Sequence, residues 1–335
     1  MTDEQLSDMP TVVIVILNWN KWRLSLECIT YLAGLNYSNW QLLLIDNGST
    51  DGSLEKFEEL PENSELIALE TNRGYTGGSN VGIARAMEMG ADYIWLLNND
   101  ANVEQNTLSL LVALAESNPQ IGLVGPLLMR PGSPANCEAA GVRFDCSKAS
   151  LEVTTDIAKA KKWQIDAPEN MAIFGTGLLI RRSVIEKIGS FDEHFFAYDE
   201  DIDLSIRSAK AGFLNMVEFQ AILWHQPRPS LPNDSDLVAP HVYYYMTRND
   251  FRLWRKHAST FLAIKAHFWT LRRSLKHVIE LRRERRGATV AEALLRGMWD
   301  GLCGQSGAYI AERRAPEPWR SVMLSLGKFW SACKT

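Results

Sequence analysis

The chain reads as an α/β protein built on a mainly parallel sheet. Three observations predict this: short, largely apolar runs of strand length, helical periods between them, and a polar cluster closing each run. The runs are Val12–Leu17, Gln41–Ile45, Leu66–Leu69, residues 93–97 and Gly122–Gly125. Unbroken apolar runs of this length suit strands buried on both faces. Between them, amphipathic segments are expected after Trp19 (Leu24, Ile29 and Leu32 on one side) and at about 79–89 and 105–116. Strand and helix thus alternate four times, the pattern of parallel strands joined by right-handed crossovers.

In such a sheet, ligands gather at the carboxyl ends of the strands. Here those ends read Asn18-Trp19-Asn20, then Asp46-Asn47-Gly48-Ser49-Thr50-Asp51-Gly52, then Thr71-Asn72-Arg73-Gly74, then Asn98-Asn99-Asp100. Trp19 can stack on a base or sugar, or simply cover the sheet edge. Asp46 can accept hydrogen bonds from a base or ribose, or close an Asx-turn. Arg73 can pair with a base or phosphate, or with a surface acid. Gly77 and Gly78 are expected to let a loop approach a ligand, with Asn80 opening the next helix. Asn98, Asn99 and Asp100 can hold a cation or phosphate, or merely end a strand. The glycine fingerprints of dinucleotide and P-loop sites are absent, so phosphates must be handled by a metal or by basic side chains.

Length and composition set the bounds. The chain has 335 residues, 46% hydrophobic and 22% charged, as an ordinary soluble globular protein does. Met1–Pro10 is a polar, acidic tail, so no signal peptide is expected, and no segment is apolar enough to span a membrane. Cys28, Cys137, Cys146, Cys303 and Cys333 form no metal or disulfide pattern and fit a reducing cytoplasm. The net charge of -5 is uneven: residues 240–335 hold 18 bases and 7 acids, leaving 17 and 33 for the rest. A basic tail on an acidic body raises an anionic surface as partner, against a plain solvated face.

The second half supplies carboxylates. From Pro126 to Met171 the pattern weakens into Gly- and Pro-punctuated loop with some strand. Residues 174–182 then read as a strand whose Gly175 and Gly177 leave room for a ligand. Tyr198 precedes Asp199, Glu200, Asp201 and Asp203, which are expected to open a helix running to about Ala211. Helix capping is one reading of these acids; crowded, partly desolvated carboxylates serving a general base are the other. Spacing sets Asp199 and Asp203 on one side of the helix, with Glu200 and Asp201 elsewhere. His225 ends a further apolar stretch and is either structural or a metal ligand. With Asp100 it would make a sparse site for Mg2+ or Mn2+, completed by phosphate oxygens and water.

Six motifs in order resemble glycosyltransferase family 2, inverting enzymes with the GT-A fold. They are Val-Ile-Leu-Asn-Trp-Asn at 15–20, Asp-Asn-Gly-Ser-Thr-Asp-Gly at 46–52, and Asn-Arg-Gly-Tyr-Thr-Gly-Gly-Ser-Asn-Val-Gly at 72–82. Leu-Leu-Asn-Asn-Asp at 96–100, Tyr-Asp-Glu-Asp-Ile-Asp-Leu at 198–204 and Trp-His at 224–225 complete the set. The resemblance covers about residues 11–260 and is nearest the rhamnosyltransferase-like branch. It implies that Trp19, Asp46 and Arg73 hold base and ribose; Asn18, Gly78, Asn80, Asn98, Asn99, Gly175, Gly177 and Tyr198 are the further substrate-binding candidates. It further implies Asp100 and His225 as metal contacts, Asp201 as catalytic base with Glu200 beside it, and Arg248 and Asn249 near donor phosphates or acceptor. Asn98 stands where many members carry the first acid of a D-x-D motif, so metal affinity without nucleotide should be low.

The expected architecture is a tail (1–10), a catalytic domain (11–239, with halves 11–125 and 126–239) and a basic helical region (240–335). The expected activity is transfer of one sugar, with rhamnose as the guess, from a dTDP-, UDP- or GDP-sugar to a glycan or lipid-linked glycan in surface polysaccharide synthesis. No nucleic acid is expected as partner. A nucleotide-sugar-binding scaffold and a sugar-phosphate nucleotidyltransferase are the rival classes. In the tail, Phe261, Ile264, Phe268, Leu271, Leu275 and Val278 recur every three or four residues among bases. Such a helix either packs on protein or lies on an anionic bilayer, giving a cytoplasmic protein with peripheral membrane contact through 258–286.

Overall fold

A computed structural model describes residues 9–132, 136–225, 230–231 and 234–332. The tail before Met9, Asn233 and Cys333 lie outside the described residues. The chain divides into two compact units: Met1–Phe144, Leu151–Glu193 and Glu200–Pro227 form the first, and Asp145–Ser150, His194–Asp199 and Arg228–Thr335 the second.

In the first unit, the apolar runs become β1 (Val12–Asn18), β2 (Trp40–Asp46), β3 (Ser64–Ala68) and β4 (Tyr93–Asn98). They are followed by β5 (Ala101–Val103), β6 (Ile121–Met129), β7 (Cys137–Ala139), β8 (Gly141–Asp145), β9 (Ser150–Thr154), β10 (Met171–Ala172), β11 (Gly177–Arg181) and β12 (Leu214–His225). The main sheet runs β3-β2-β1-β4-β11-β6-β12-β5, with β7 paired to β6. β1 to β4 pair in parallel, and β11 enters antiparallel between β4 and β6. Alternate residues explain the unbroken runs. Ile14, Ile16, Leu42, Leu44, Trp95 and Leu97 pack on one face of the sheet, and Val13, Val15, Leu43, Ile45, Ile94 and Leu96 on the other.

Several expectations are corrected here. The helix after β3 begins at Gly74 and runs to Glu88, so Gly77, Gly78 and Asn80 lie within its opening turns. A Cβ on Gly78 would stand 2.5 Å from Leu17 Cδ1, and one on Gly82 2.3 Å from Val15 Cγ1. Gly78 and Gly82 bring a helix onto the sheet, not a loop onto a ligand, and a Cβ on Gly77 would meet the Arg73 side chain at 2.7 Å. Gly177 is likewise occupied by its neighbours: a Cβ there would meet Leu223 Cδ1 at 2.5 Å and Pro126 Cγ at 3.1 Å. The segment after Pro126 holds more order than its punctuation suggests. β8, β9 and β10 form a small sheet, and a helix at Ile157–Asp166, capped by the Asp156 side chain, buries Ala160 and Trp163.

In the second unit, helices run over Pro240–His257, Thr260–Arg283, Ala288–Leu302 and Glu317–Ala332. Leu237, Leu275, Val278, Leu281, Val290, Leu294, Leu295 and Met298 form its core. A Cβ on Gly301 would stand 2.5 Å from Phe251 Cδ2, so the first and third of these helices pack closely. The apolar stripe expected on Thr260–Arg283 splits in two. Leu275 and Val278 are buried, whereas Phe261, Ile264 and Phe268 are exposed, and the inward face of those first turns carries Ala263, Ala266 and Thr270. No described helix is long and apolar enough to cross a membrane.

Candidate active site

Strand register brings the polar clusters to one rim of the first unit. Asn18 pairs with Asp46, and Leu17 with Asn98. Asn18 Nδ2 donates to Asp46 Oδ2 at 3.1 Å and to Ser49 Oγ at 3.1 Å, and the Ser25 hydroxyl donates to Asn18 Oδ1 at 2.8 Å. Asn99 Nδ2 donates to Ser25 Oγ at 3.0 Å. Asp46 Oδ1 accepts the Ser49 N–H at 2.9 Å, so the turn reading of Asp46 is what its bonds show. Asn18 and Asp46 are both buried, and Trp19 beside them is 51% exposed. Below them, Arg73 extends its guanidinium to Glu193 at 3.3 Å, both half-exposed. Asn80 meets the Phe191 backbone through both ends of its amide and reaches Glu193 Oε1 at 3.2 Å.

Asp100 lies between β4 and β5, and β5 pairs antiparallel with the end of β12, placing His225 opposite Ala101. That pairing unites residues 125 positions apart: His225 Nε2 lies 3.3 Å from Asp100 Oδ1. The other ring nitrogen, Nδ1, lies 3.1 Å from Glu138 Oε2 on β7. Burial disfavours the imidazolium, but hydrogen bonds and charge from Asp100 and Glu138 outweigh it and raise the His225 pKa to about 9. Burial likewise works against the Asp100 carboxylate, yet His225 and Lys21 hold it below its ordinary value.

A carboxylate oxygen and an imidazole nitrogen thus lie side by side, with the second ring nitrogen held by an acid. That donor set suits a divalent cation such as Mg2+ or Mn2+, with Glu138 orienting the ligating ring. No group of three or more His, Cys, Asp or Glu among the described residues could hold a metal by itself. Asp100 and His225 would supply the protein's share, and phosphate oxygens and water the rest. Glu138 could not be read from the sequence: it is a lone acid in a punctuated segment with no motif around it.

The carboxylates after Tyr198 separate in role. The helix starts at Glu200 and ends at Lys210; Asp199 sits outside it at φ 65, which corrects the expected one-sided pair with Asp203. Asp203 is fully buried and pairs with Arg207 at 2.8 Å. Asp201 Oδ2 accepts the Gly175 N–H at 2.7 Å and its Oδ1 the Ile202 N–H at 2.8 Å. Gly175 O accepts the Tyr75 hydroxyl at 3.0 Å. Burial first, then the charges of Glu200, Asp201 and Asp100, push that hydroxyl well above its usual range. Through Gly175, Tyr75 is linked to Asp201, a connection hidden inside a glycine-rich motif.

The second unit holds the loop that precedes Glu200. Phe196 and Tyr198 take left-handed backbone (φ 63 and 68), unusual for bulky residues. Asn249 Nδ2 lies 3.1, 2.7 and 2.7 Å from the carbonyls of Phe195, Ala197 and Tyr198. Arg248 donates to Phe195 O and, at 2.7 Å, to Gly307 O, with its guanidinium over Tyr244 and Tyr245. Both side chains are buried, at 1% and 0% exposure; the Asn249 amide nitrogen is spent on this loop, while Arg248 divides its donors among Phe195 O, Gly307 O and Asn249 Oδ1. A separate cleft of about 410 Å³ is lined by Asp92, Tyr93, Glu116, Arg181 and Arg182. Tyr93 and Arg181 bound β4 and β11 at the rim away from Asp100, so this cleft is not part of the acid cluster.

Comparison with known proteins bears on the family and the fold. Residues 12–189 match the family model described as glycosyl transferase family 2. The N-acetylglucosaminyl-diphospho-decaprenol L-rhamnosyltransferase of Mycobacterium tuberculosis is 29% identical over 272 residues, covering 73% of this chain and 86% of that one. The poly-beta-1,6-N-acetyl-D-glucosamine synthase of Staphylococcus aureus is 22% identical over 66% of this chain, which spans about half (51%) of that protein. Among solved structures, a mannosyltransferase from Pyrobaculum calidifontis in complex with GDP-Man and Mn2+ superposes with TM-score 0.56 at 15% identity, over 98% of this chain and 88% of that one. GalNAc-T7 with UDP, GalNAc and Mn2+ gives TM-score 0.54 at 15% identity, over 72% and 47%. These two likenesses establish the fold, a GT-A arrangement with a C-terminal helical extension.

Proposed function

The chain belongs to glycosyl transferase family 2, and on that premise we propose that it moves one sugar from a nucleoside-diphosphate donor to a glycan or lipid-linked glycan acceptor, inverting the anomeric carbon. One observation carries this reading: Asp100 lies in contact with His225 where β4, β5 and β12 meet, and Asp201 is anchored on the backbone of Gly175, whose carbonyl accepts the Tyr75 hydroxyl. When bound, Mg2+ or Mn2+ supplies positive charge beside the departing diphosphate, where negative charge develops. Trp19 and Arg73, both accessible at the rim, hold base and ribose. Asp46, tied to Asn18 and Ser49, shapes the pocket beneath them. Asp201 takes the proton of the acceptor hydroxyl as that oxygen attacks from the face opposite the diphosphate. One carboxylate suffices, because a diphosphate leaves without a proton; glycoside hydrolysis, with its poorer leaving group, uses two. The sugar we propose is rhamnose, delivered as dTDP-rhamnose, because the mycobacterial relative is named for L-rhamnosyl transfer.

Asp201→Asn tests the assignment. The variant is expected to bind dTDP as the unaltered protein does while transfer falls by about 10²–10⁴-fold, the usual worth of a general base. Transfer at the unaltered rate would remove Asp201 from the mechanism.

A further inference from the structure

The opening turns of the helix Thr260–Arg283 do not bury the apolar residues they carry. Phe261 is 76% exposed, Ile264 63%, and Phe268 and Trp269 51% each. Helical spacing sets Phe261, Ile264 and Phe268 on one outward strip, with Trp269 beside it. Lys265, Arg272 and Lys276 lie on the same outward side, and the Arg272 guanidinium sits 5.1 Å from the centre of the Trp269 ring. From Thr260 to Ile279 the helix carries no acidic residue, while it holds Lys265, Arg272, Arg273 and Lys276. Two of these bases also meet acids, Arg273 the mostly buried Asp250 at 3.2 Å and Lys276 the exposed Glu280 at 3.6 Å. The inward face of the same turns carries small side chains, Ala263, Ala266 and Thr270. Burial against its own unit therefore does not explain the large outward side chains.

Clustered exposed aromatics mark an interaction surface more often than a solvated one. Two features select its occupant. The bases surrounding the apolar strip attract an anionic surface and repel a cationic one. The side chains are of the kinds that settle at a bilayer boundary: Phe and Ile entering the acyl region, Trp at headgroup level, and Lys and Arg reaching back to phosphates. A second copy of this chain meets the second condition poorly, since a self-complementary contact through this strip would set like charges against each other. We propose that Phe261, Ile264, Phe268 and Trp269, flanked by Lys265 and Arg272, form a docking surface for an anionic lipid bilayer. Phe261 to Phe268 span about 10 Å along the helix, so docking through this strip sets the helix axis along the membrane plane.

The inference stands on this surface alone and is tested without donor or acceptor, so it can fail while the transferase reading holds, and the reverse. The whole chain is floated with vesicles of phosphatidylcholine, pure or containing one third phosphatidylglycerol, at low and raised salt. The unaltered protein is expected to float with the anionic vesicles, to stay behind with the neutral ones, and to weaken as salt rises. Replacing Phe261, Phe268 and Trp269 together by Ser should cut partitioning by about tenfold or more through lost apolar burial. Lys265→Glu with Arg272→Glu, a variant that leaves the apolar strip intact, should cut it by about fivefold or more per charge. Failure of the unaltered protein to float on anionic vesicles overturns the proposal, as does flotation that both variants retain. Self-association in vesicle-free solution that the triple variant abolishes, with no flotation, would assign the strip to a second copy and overturn it equally.

Discussion

Asn249 is placed to decide the shape of the loop ahead of the acid cluster, and Asn249→Ala measures how much that matters. Its amide nitrogen lies within 3.1 Å of three carbonyls, those of Phe195, Ala197 and Tyr198, at a site with no exposure. An NH2 group satisfies two of these fully, and a net hydrogen bond to a neutral group contributes about 1 kcal/mol. Removing the donor also leaves buried carbonyls without their partner, at about 1–3 kcal/mol for each group not rescued by water. The loop it ties down keeps Phe196, Tyr198 and Asp199 in left-handed backbone, a conformation that costs roughly 1–3 kcal/mol per residue and persists only while neighbours enforce it. The loss expected in urea unfolding is therefore about 2–4 kcal/mol. Asn249→Asp, nearly isosteric, keeps the oxygen that accepts the Arg248 Nε–H at 2.9 Å but turns the donor into an anion facing carbonyl oxygens, so it should destabilise as well. Asp201 follows this loop by only two residues, so transfer should fall in both variants while nucleotide affinity changes little. A loss under about 0.5 kcal/mol for the alanine, within the range of an indifferent surface change, would refute the tethering argument.

Further outcomes follow from the same contacts. His225 has its pKa raised to about 9 from 6.5, so its pairing stabilises the metal-free protein fully below pH 6.5 and the benefit is lost as pH rises through 9. The stability gap between the unaltered protein and His225→Asn should shrink by roughly 3 kcal/mol between pH 6 and 10, and a gap independent of pH would contradict the pairing. Glu138→Gln should lower the pKa of the His225 ring in an NMR titration of metal-free protein; an unmoved titration would deny it a role there. Gly78→Ala should destabilise by about 1–3 kcal/mol through overpacking on Leu17 and Asn47. Unchanged stability with impaired nucleotide binding would instead return that glycine to the ligand.

Much of the sheet was legible because burial on both faces writes itself as unbroken apolar runs, as in Val12–Leu17 and Tyr93–Leu97. The rim was legible for the same reason, since Asn18, Asp46 and Asn98 interrupt those runs at matching register. What escaped depends on pairings between distant segments. Glu138 reaches His225 only because β7, β6 and β12 lie side by side. Gly77, Gly78 and Gly177 looked like openings for a ligand, since a missing side chain in the sequence does not say which neighbour fills the space. The family resemblance set Arg248 and Asn249 near donor phosphates or acceptor, and a motif does not show that both side chains are buried. The outward strip on Thr260–Arg283 was misjudged in extent, because period alone does not say which turns a neighbouring helix covers.

The account rests on Asp100 and His225 holding a cation beneath a diphosphate, and a thermal-shift titration tests it most directly. With Mn2+ present, dTDP should raise the melting temperature of the unaltered protein, and neither Mn2+ nor dTDP alone should do as much, because the protein supplies only two ligands. Asp100→Asn should abolish the metal-dependent part of that shift. An equal shift in that variant, or a nucleotide effect indifferent to metal, would contradict the central claim.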